Sequence, residues 1–449
     1  MPESREIYKT LDLALRVGEL LLSSGAGAAD VSATMLSVAR ACGLRGVTAD
    51  VTFTALSMSY QSSVDEPAMI QMRQVTHREL DYEDLTQVDH LVRALVAGRV
   101  DRDEARSHLA RIVSSGHPMP RWAATLGFGA TGGGVGMLLG GDVVVTLIAA
   151  VAAIGVDLLQ RAMSRRRLPG FYQQVAGGLL ATLIAVATAA THVQVDPSRV
   201  VTAGIIMLLA GVGFMGAIQD ALTGFPLTAA ARILEAMLAT AGVIAGVSGG
   251  LTVGRMIGVD LGHLNPGAAG WADLPGMAAG AAICAGAFAF SCYAPLRSVL
   301  PIALIGGLAQ AVFYLAQDRE LGPAWGSAIA AVVIGVVSYS AAGRFKVPPL
   351  VIVVPAIVPL LPGLSIYRGL SLMAEGRNGV LSIAAAAAIA IALASGVILG
   401  EYAAQPLRRE ARRLETRLAG PRLVGPLRTR TRTRTRTRTR TRSVKRSRV

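Results

Sequence analysis

Between Gln219 and Glu235 the chain sets an amide, two carboxylates and a guanidinium around a run, Ala221 to Ala231, with no charge. Asp220 and Glu235 are carboxylates that could carry a proton. Arg232 can bind a carboxylate or pair with Asp220 or Glu235. Gln219 and Thr223 donate and accept hydrogen bonds. Gly224-Phe-Pro226 predicts a break in any helix that crosses this run. Broken backbone frees N–H groups for a carboxylate and C=O groups for an ammonium, and it is tolerated at membrane depth only where it lines a cavity. A plain turn between two helices is the competing reading.

Other polar residues stand out from apolar surroundings. Asp157 falls about one turn from the end of the second apolar stretch described below. With Asp220 and Glu235 it makes the set of proton-coupling candidates, because ionisable groups near a membrane mark ion pathways. An interfacial carboxylate reaching for water is the alternative for each. Gln173 and Gln174 follow Arg167-Leu-Pro-Gly170 and enter an apolar run, where either could hydrogen-bond a substrate or a neighbouring helix. In the second half, Pro355, Pro359, Pro362 and Gly363 form a second helix-breaking run followed by Ser365. The expected substrate site therefore draws on Gln173, Gln174, Gln219, Thr223, Gly224, Pro226, Arg232, Pro362, Gly363 and Ser365.

Several other motifs lead nowhere. Gly127-Phe-Gly129-Ala-Thr-Gly132 matches G-x-G-x-x-G but lacks the preceding strand of a dinucleotide site. Its glycines, with Gly133, Gly136 and Gly140, fit close helix packing, as do Gly242, Gly246, Gly250 and Gly254. The six histidines show no ligand spacing, so no metal is expected, and no cofactor sequence or Walker motif appears. Cys42, Cys284 and Cys292 give no disulfide framework. Ser24, Asp30 and His77 could be drafted as a hydrolytic triad, but no Gly-x-Ser-x-Gly supports one.

The elements that position these residues follow from composition. Charged residues make up 16% of 449, hydrophobic residues 52%, and mean hydropathy is +0.51. Soluble domains carry about 25% charge, so the chain reads as a polytopic membrane protein, not a soluble enzyme. The net charge of +14 does not argue for nucleic acid: residues 405–449 alone carry +15. That basic tail, with its Arg-Thr repeat from Arg428, is expected to be disordered.

Residues 1–121 read as a small α+β domain. Helices are expected from about Leu11 to Leu22 and Ala29 to Cys42, a strand at Val47–Gln61, a second at Met69–Thr76, and helices at Tyr82–Ala97 and Asp101–Ser114. Asp101, three residues before Glu104, is the expected N-cap. From Trp122 to Gly400 ten apolar stretches follow, most near the roughly 20 residues that span a bilayer. The fold class is thus membrane all-α. Ten transmembrane helices form two inverted five-helix halves, residues 122–254 and 274–404, joined by a loop at 255–273. Arg161, Arg165, Arg166, Arg167, Arg232, Arg297, Arg344 and Lys346 fall in alternate loops, which positive-inside places in the cytoplasm. Both termini are then cytoplasmic. An odd number of helices per half forces the inversion, and paired Gly/Pro-broken helices in inverted halves point to a transporter site.

Three runs resemble the threonine/serine exporters. They are Ser24-Gly-Ala26 with Asp30-Val31, Leu168-Pro-Gly-Phe-Tyr-Gln-Gln174, and Gln219 through Glu235. Ala28 departs from the pattern, standing where a hydroxyl residue is expected. The Pro355–Gly363 run is similar to the family's C-terminal five-helix module. The resemblance implies a plasma-membrane exporter of threonine and serine, driven by the proton gradient, with a small amino acid, protons and lipid as partners. A C4-dicarboxylate exporter is the alternative within transport, and a membrane-anchored hydrolase or scaffold the alternatives outside it. A homo-oligomer is left open.

Overall fold

The computed structural model describes residues 4–63, 65–76, 78–191, 197–206, 208, 211–259, 270–374 and 377–415. The chain begins with α1 (Ser4–Ser23) and α2 (Ala28–Ala41). Three strands follow, β1 (Val47–Thr52), β2 (Ala55–Tyr60) and β3 (Met69–Gln74). They form an antiparallel sheet in the order β1-β2-β3, with Thr52 opposite Ala55 and Ala55 opposite Gln74. The single strand expected at Val47–Gln61 is therefore a hairpin. Its turn carries no glycine, asparagine or proline; Phe53 itself adopts the left-handed conformation, φ 53°. A turn residue of that type gives no compositional signal.

The domain closes with α3 (Tyr82–Val96) and α4 (Arg102–Ser115). Asp81 caps α3 by accepting from the Asp84 N–H, and Asp101 caps α4 by accepting from the Glu104 N–H at 2.7 Å, as the spacing predicts. Leu11, Leu13, Leu15 and Leu22 of α1 are buried against α2, the sheet and α3. Each such side chain contributes about 1.5–3 kcal/mol of burial before chain entropy is counted.

The membrane part runs through α5 (Arg121–Leu138), α6 (Val143–Arg165), α7 (Gly170–Ala189), α8 (Pro197–Ile206), α9 (Gly211–Leu222) and α10 (Pro226–Met256). After a short 3-10 turn at Trp271–Asp273 come α11 (Leu274–Ser291), α12 (Leu296–Asp318), α13 (Gly322–Phe345), α14 (Pro349–Ile357), α15 (Gly363–Ala374) and α16 (Val380–Glu415). Among the described residues, seven helices are long and apolar enough to cross a membrane: α6, α7, α10, α11 with its leading turn, α12, α13 and α16. The ten expected spans are not all of this kind. Six glycines dilute the hydropathy of α5. The fourth and ninth stretches are each a pair of short helices, α8 with α9 and α14 with α15; the proline run predicts the second break, whereas Gly211, Gly213 and Gly216 lie within α9.

The breaks meet. A 3-10 turn, Val358–Leu360, ends α14, and Leu361 is extended. A Cβ built on Gly211, where α9 begins, would lie 3.0 Å from the Leu361 Cβ. Helices α5 and α11 pack together, as do α9 and α16, so the two groups of helices interlock. The glycine device is real at α10: a Cβ on Gly246 would run into the Val175 carbonyl of α7. Two boundaries differ from expectation. α10 starts at Pro226, ten residues before the apolar run at Ala236, because a helix tolerates the charges of Arg232 and Glu235 in its first turns. α16 continues to Glu415, so the tail expected to be disordered from 405 is helical over its first eleven residues. The rest of the tail and loop residues 260–269 lie outside the described residues.

Candidate functional site

The corner between α9 and α10 is tight. The N–H groups of Thr223, Gly224 and Phe225 donate to the carbonyls of Gln219, Ala221 and Asp220, and Gly224 supplies the left-handed φ of 95°. The corner thus spends its backbone donors on itself, against the expectation that broken backbone there would be free for a ligand. Thr223, Gly224 and Pro226 are exposed and do not line the cavity described below.

Asp220, in the last turn of α9, is 1% exposed. Its Oδ2 lies 2.6 Å from the Arg232 Nη1, and its Oδ1 accepts from the backbone N–H of Ala28 at 2.9 Å. Ala28 opens α2, so this donor is one of the N–H groups a helix start leaves unpaired, at the positive end of its dipole. One membrane carboxylate is therefore held by a membrane arginine and by the N-terminal domain. A second contact lies beside it. The Thr228 hydroxyl donates to the Val51 carbonyl at 3.1 Å and accepts from the Phe53 N–H at 3.0 Å, fixing the hairpin turn on the start of α10. On the other side the Tyr82 N–H donates to the Cys292 carbonyl at 2.9 Å, and His90 bonds the Lys346 carbonyl at 3.0 Å.

Between these contacts sits a cavity of about 310 Å³. The domain contributes Gly25, Gly27, Arg78 and Glu79; α9 contributes Gly213, Gly216 and Gln219; α10 contributes Arg232 and Glu235. Leu350, Val354, Ile357 and Leu361, from the α14 segment, give an apolar wall. Arg78 lies over the Phe53 ring, 4.3 Å from its centroid, and its Nη2 donates to the Phe53 carbonyl at 2.7 Å. Its Nη1 is 3.5 Å from Glu235 Oε2. Burial, then the nearby Arg232, lowers the Arg78 pKa from its ordinary value. Asp30, two residues into α2 from Ala28, has its pKa raised to about 7 by burial, and further by the negative charges of Glu401 and Asp220. The cavity combines two guanidiniums, two carboxylates and an apolar wall at a volume at the small end of ligand pockets. That is the chemistry of a small zwitterion.

The structure brings Gln219, Asp220, Arg232 and Glu235 together, as their sequence run suggests. It does not bring in Asp157, which pairs with Arg161 at 2.9 Å on α6. Gln173 donates to the Leu168 carbonyl, capping its own loop. Gln174 packs against Gly242, and its Oε1 is buried with no partner among the described residues. Pro362 and Ser365 follow the wall residue Leu361 and are not among the described residues that line the cavity; Gly363 begins α15. The residues missed by sequence are Arg78, Glu79 and Thr228; Asp30 stands out there only in the drafted triad and in the family run. Arg78 stands more than 130 positions from Arg232, and no local pattern connects them. One group of potential metal ligands also escaped the sequence spacing: oxygen and nitrogen atoms of Asp81, Asp84 and His117 lie within 4.8 Å of one another. Asp81 is already used, capping α3 and bonding His117, and none of the three lines the cavity.

Comparison with known proteins was made on this geometry. Residues 12–254 match the family described as "Putative threonine/serine exporter", and residues 277–403 match "Threonine/Serine exporter, ThrE". The chain is 37% identical over 425 residues to the "Probable threonine/serine exporter" of Mycobacterium tuberculosis (strain ATCC 25618 / H37Rv), covering 92% of this chain and 80% of that one. It is 34% identical over 420 residues to the "Threonine/serine exporter" of Corynebacterium glutamicum, covering 92% and 86%. No solved structure matches. With several helices long and apolar enough to cross a membrane, and relatives that are exporters, this is a multi-pass membrane protein and not an enzyme.

Proposed function

Because this chain belongs to the threonine/serine exporter family, we propose that it exports threonine, serine and similar small amino acids across the plasma membrane in exchange for protons. The observation that carries this reading is the cavity where both groups of membrane helices and the cytoplasmic domain meet, with Arg78, Arg232, Glu79 and Glu235 on its walls. Arginine suits the carboxylate of an amino acid and glutamate its ammonium. The C4-dicarboxylate alternative fits less well, because Glu79 and Glu235 would repel a second carboxylate. Hydrolysis finds no support in the relatives.

In this reading the ten stretches are ten spans in two inverted halves, with both termini in the cytoplasm. The facing breaks at Gly211 and Leu361 support that arrangement, since transporter sites gather at paired broken helices. Exchange requires a carboxylate that holds either a proton or the substrate, never both. Glu235 faces the cavity and can do so. Asp220 lies behind it, tied to Arg232, and takes part when that pair opens. Asp157, remote from the cavity, is third. The test is efflux of labelled threonine, serine and succinate from proteoliposomes, with and without an inward proton gradient. Serine and threonine should leave faster with the gradient and succinate should not. Succinate efflux alone, or amino-acid efflux indifferent to the gradient, would refute the proposal.

A further inference from the structure

The cavity holds two guanidiniums, and they are not in the same state. Arg232 is 12% exposed, and its Nη1 is bound to a carboxylate that is itself almost fully buried. Its charge is matched. Arg78 is differently placed. Its Nε is buried with no hydrogen-bond partner among the described residues. Its Nη1 reaches only Glu235, at 3.5 Å, and that glutamate is 62% exposed. One strong bond, Nη2 to the Phe53 carbonyl, and the face of the Phe53 ring hold the group in place. The result is a guanidinium fixed in position, whose Nη1 has only a long contact to an exposed glutamate among the described residues. A long contact to an exposed carboxylate holds little, and a charged N–H donor fixed beside a cavity suits a ligand carboxylate.

From this the geometry points to Arg78 of the cytoplasmic domain as the residue that binds the α-carboxylate of the exported amino acid. The inference rests on the exporter reading and deepens it. Arg78 Nη1, with two N–H groups and only the long Glu235 contact, donates to the carboxylate. Glu235, whose contact with Arg78 is long, is displaced and turns to the substrate ammonium, with Glu79 on the same rim. An anion placed there also relieves the repulsion between the Arg78 and Arg232 charges. The soluble domain then supplies part of the transport site itself.

Arg78 also fixes the hairpin turn, so a loss of export alone would not separate binding from architecture. The discriminating experiment compares two ligands on the purified full-length chain in lipid nanodiscs. One is L-serine. The other is 2-amino-1,3-propanediol, which keeps the ammonium and hydroxyl and replaces the carboxylate with a hydroxymethyl group. Binding is measured by calorimetry for the wild type, Arg78→Gln and Arg78→Lys. The wild type should prefer serine by about tenfold or more. Arg78→Gln should lose that preference, weakening serine and leaving the diol unchanged. Arg78→Lys keeps the charge without the fork and should fall between. Equal weakening of both ligands, or no change in either, overturns the assignment while leaving the exporter reading intact. A wild type that binds neither serine nor threonine overturns both. Should Arg78→Gln fail to fold, the Arg78→Lys comparison decides by the same criterion.

Discussion

Replacing Asp220 by Ala should loosen the N-terminal domain at one identifiable amide. The Asp220 carboxylate is the acceptor for the Ala28 N–H at 2.9 Å. A hydrogen bond to a charged group is worth about 1.5–3 kcal/mol. At about 1.4 kcal/mol per factor of ten, its removal should speed local exchange of that amide by about 10- to 100-fold. The assay is hydrogen exchange by mass spectrometry on the full-length protein in nanodiscs, following peptides that cover residues 24–31. Asp220→Asn keeps a neutral acceptor of the same shape, worth about 0.5–1.5 kcal/mol, so its effect should be smaller than that of Asp220→Ala. Thr228→Val is the internal comparison. It frees the Phe53 N–H and should speed exchange at the hairpin turn more than at α2. Exchange of the Ala28 amide within about twofold of wild type in Asp220→Ala would refute the reasoning. It would mean that packing of the domain, not the carboxylate, protects the start of α2.

Three further outcomes follow from particular residues. Burial, with Glu401 and Asp220 opposite, raises the Asp30 pKa to about 7 from an ordinary 3.8. The folded state then holds a proton that the unfolded state has lost, so this group's contribution to stability falls as pH rises from about 4 to about 7; thermal unfolding from pH 4 to 8 should show a decline that Asp30→Asn flattens. Gly246→Ala should lower the unfolding midpoint sharply, because its Cβ meets the Val175 carbonyl and comes 2.7 Å from the Leu179 nitrogen, whereas Gly249→Ala, with only Leu179 Cδ1 at 3.9 Å, should be tolerated. Removing residues 428–449, which lie outside the described residues, should leave efflux from proteoliposomes unchanged, because an Arg-Thr repeat offers no apolar side chains to the membrane core.

The candidate site was legible in sequence where its parts are close along the chain. Gln219, Asp220, Arg232 and Glu235 occupy the end of one helix and the start of the next. Their polarity among apolar neighbours was enough to single them out. The Pro359–Pro362 break was legible because proline removes a donor wherever it sits. What was hidden depends on distant contacts. Phe53 turns the hairpin because Thr228 and Arg78 hold its N–H and its carbonyl, and both partners lie outside any local window. The backbone at Gly224 was misread for a related reason. Apolar composition indicated burial in a cavity wall, whereas the residues form an exposed, self-satisfied turn. The start of α10 was placed late because the charges of Arg232 and Glu235 were taken to lie in a loop before it.

The same distant contacts bear on how the molecule would move. The domain is bonded to the α9–α10 corner through Ala28, Val51 and Phe53, and to the second group of helices through Tyr82 and His90. Any rocking of the two groups against each other must break one set or the other. The contacts to the second group are bonds to backbone carbonyls, and no substrate group competes for them. The set at the corner includes an ion pair whose arginine lines the cavity. A proton on Asp220, or a substrate carboxylate drawn toward Arg232, weakens that pair directly. In the proposed exchange, the corner is where release of the domain would be tied to what occupies the cavity, with Asp220 carrying that tie.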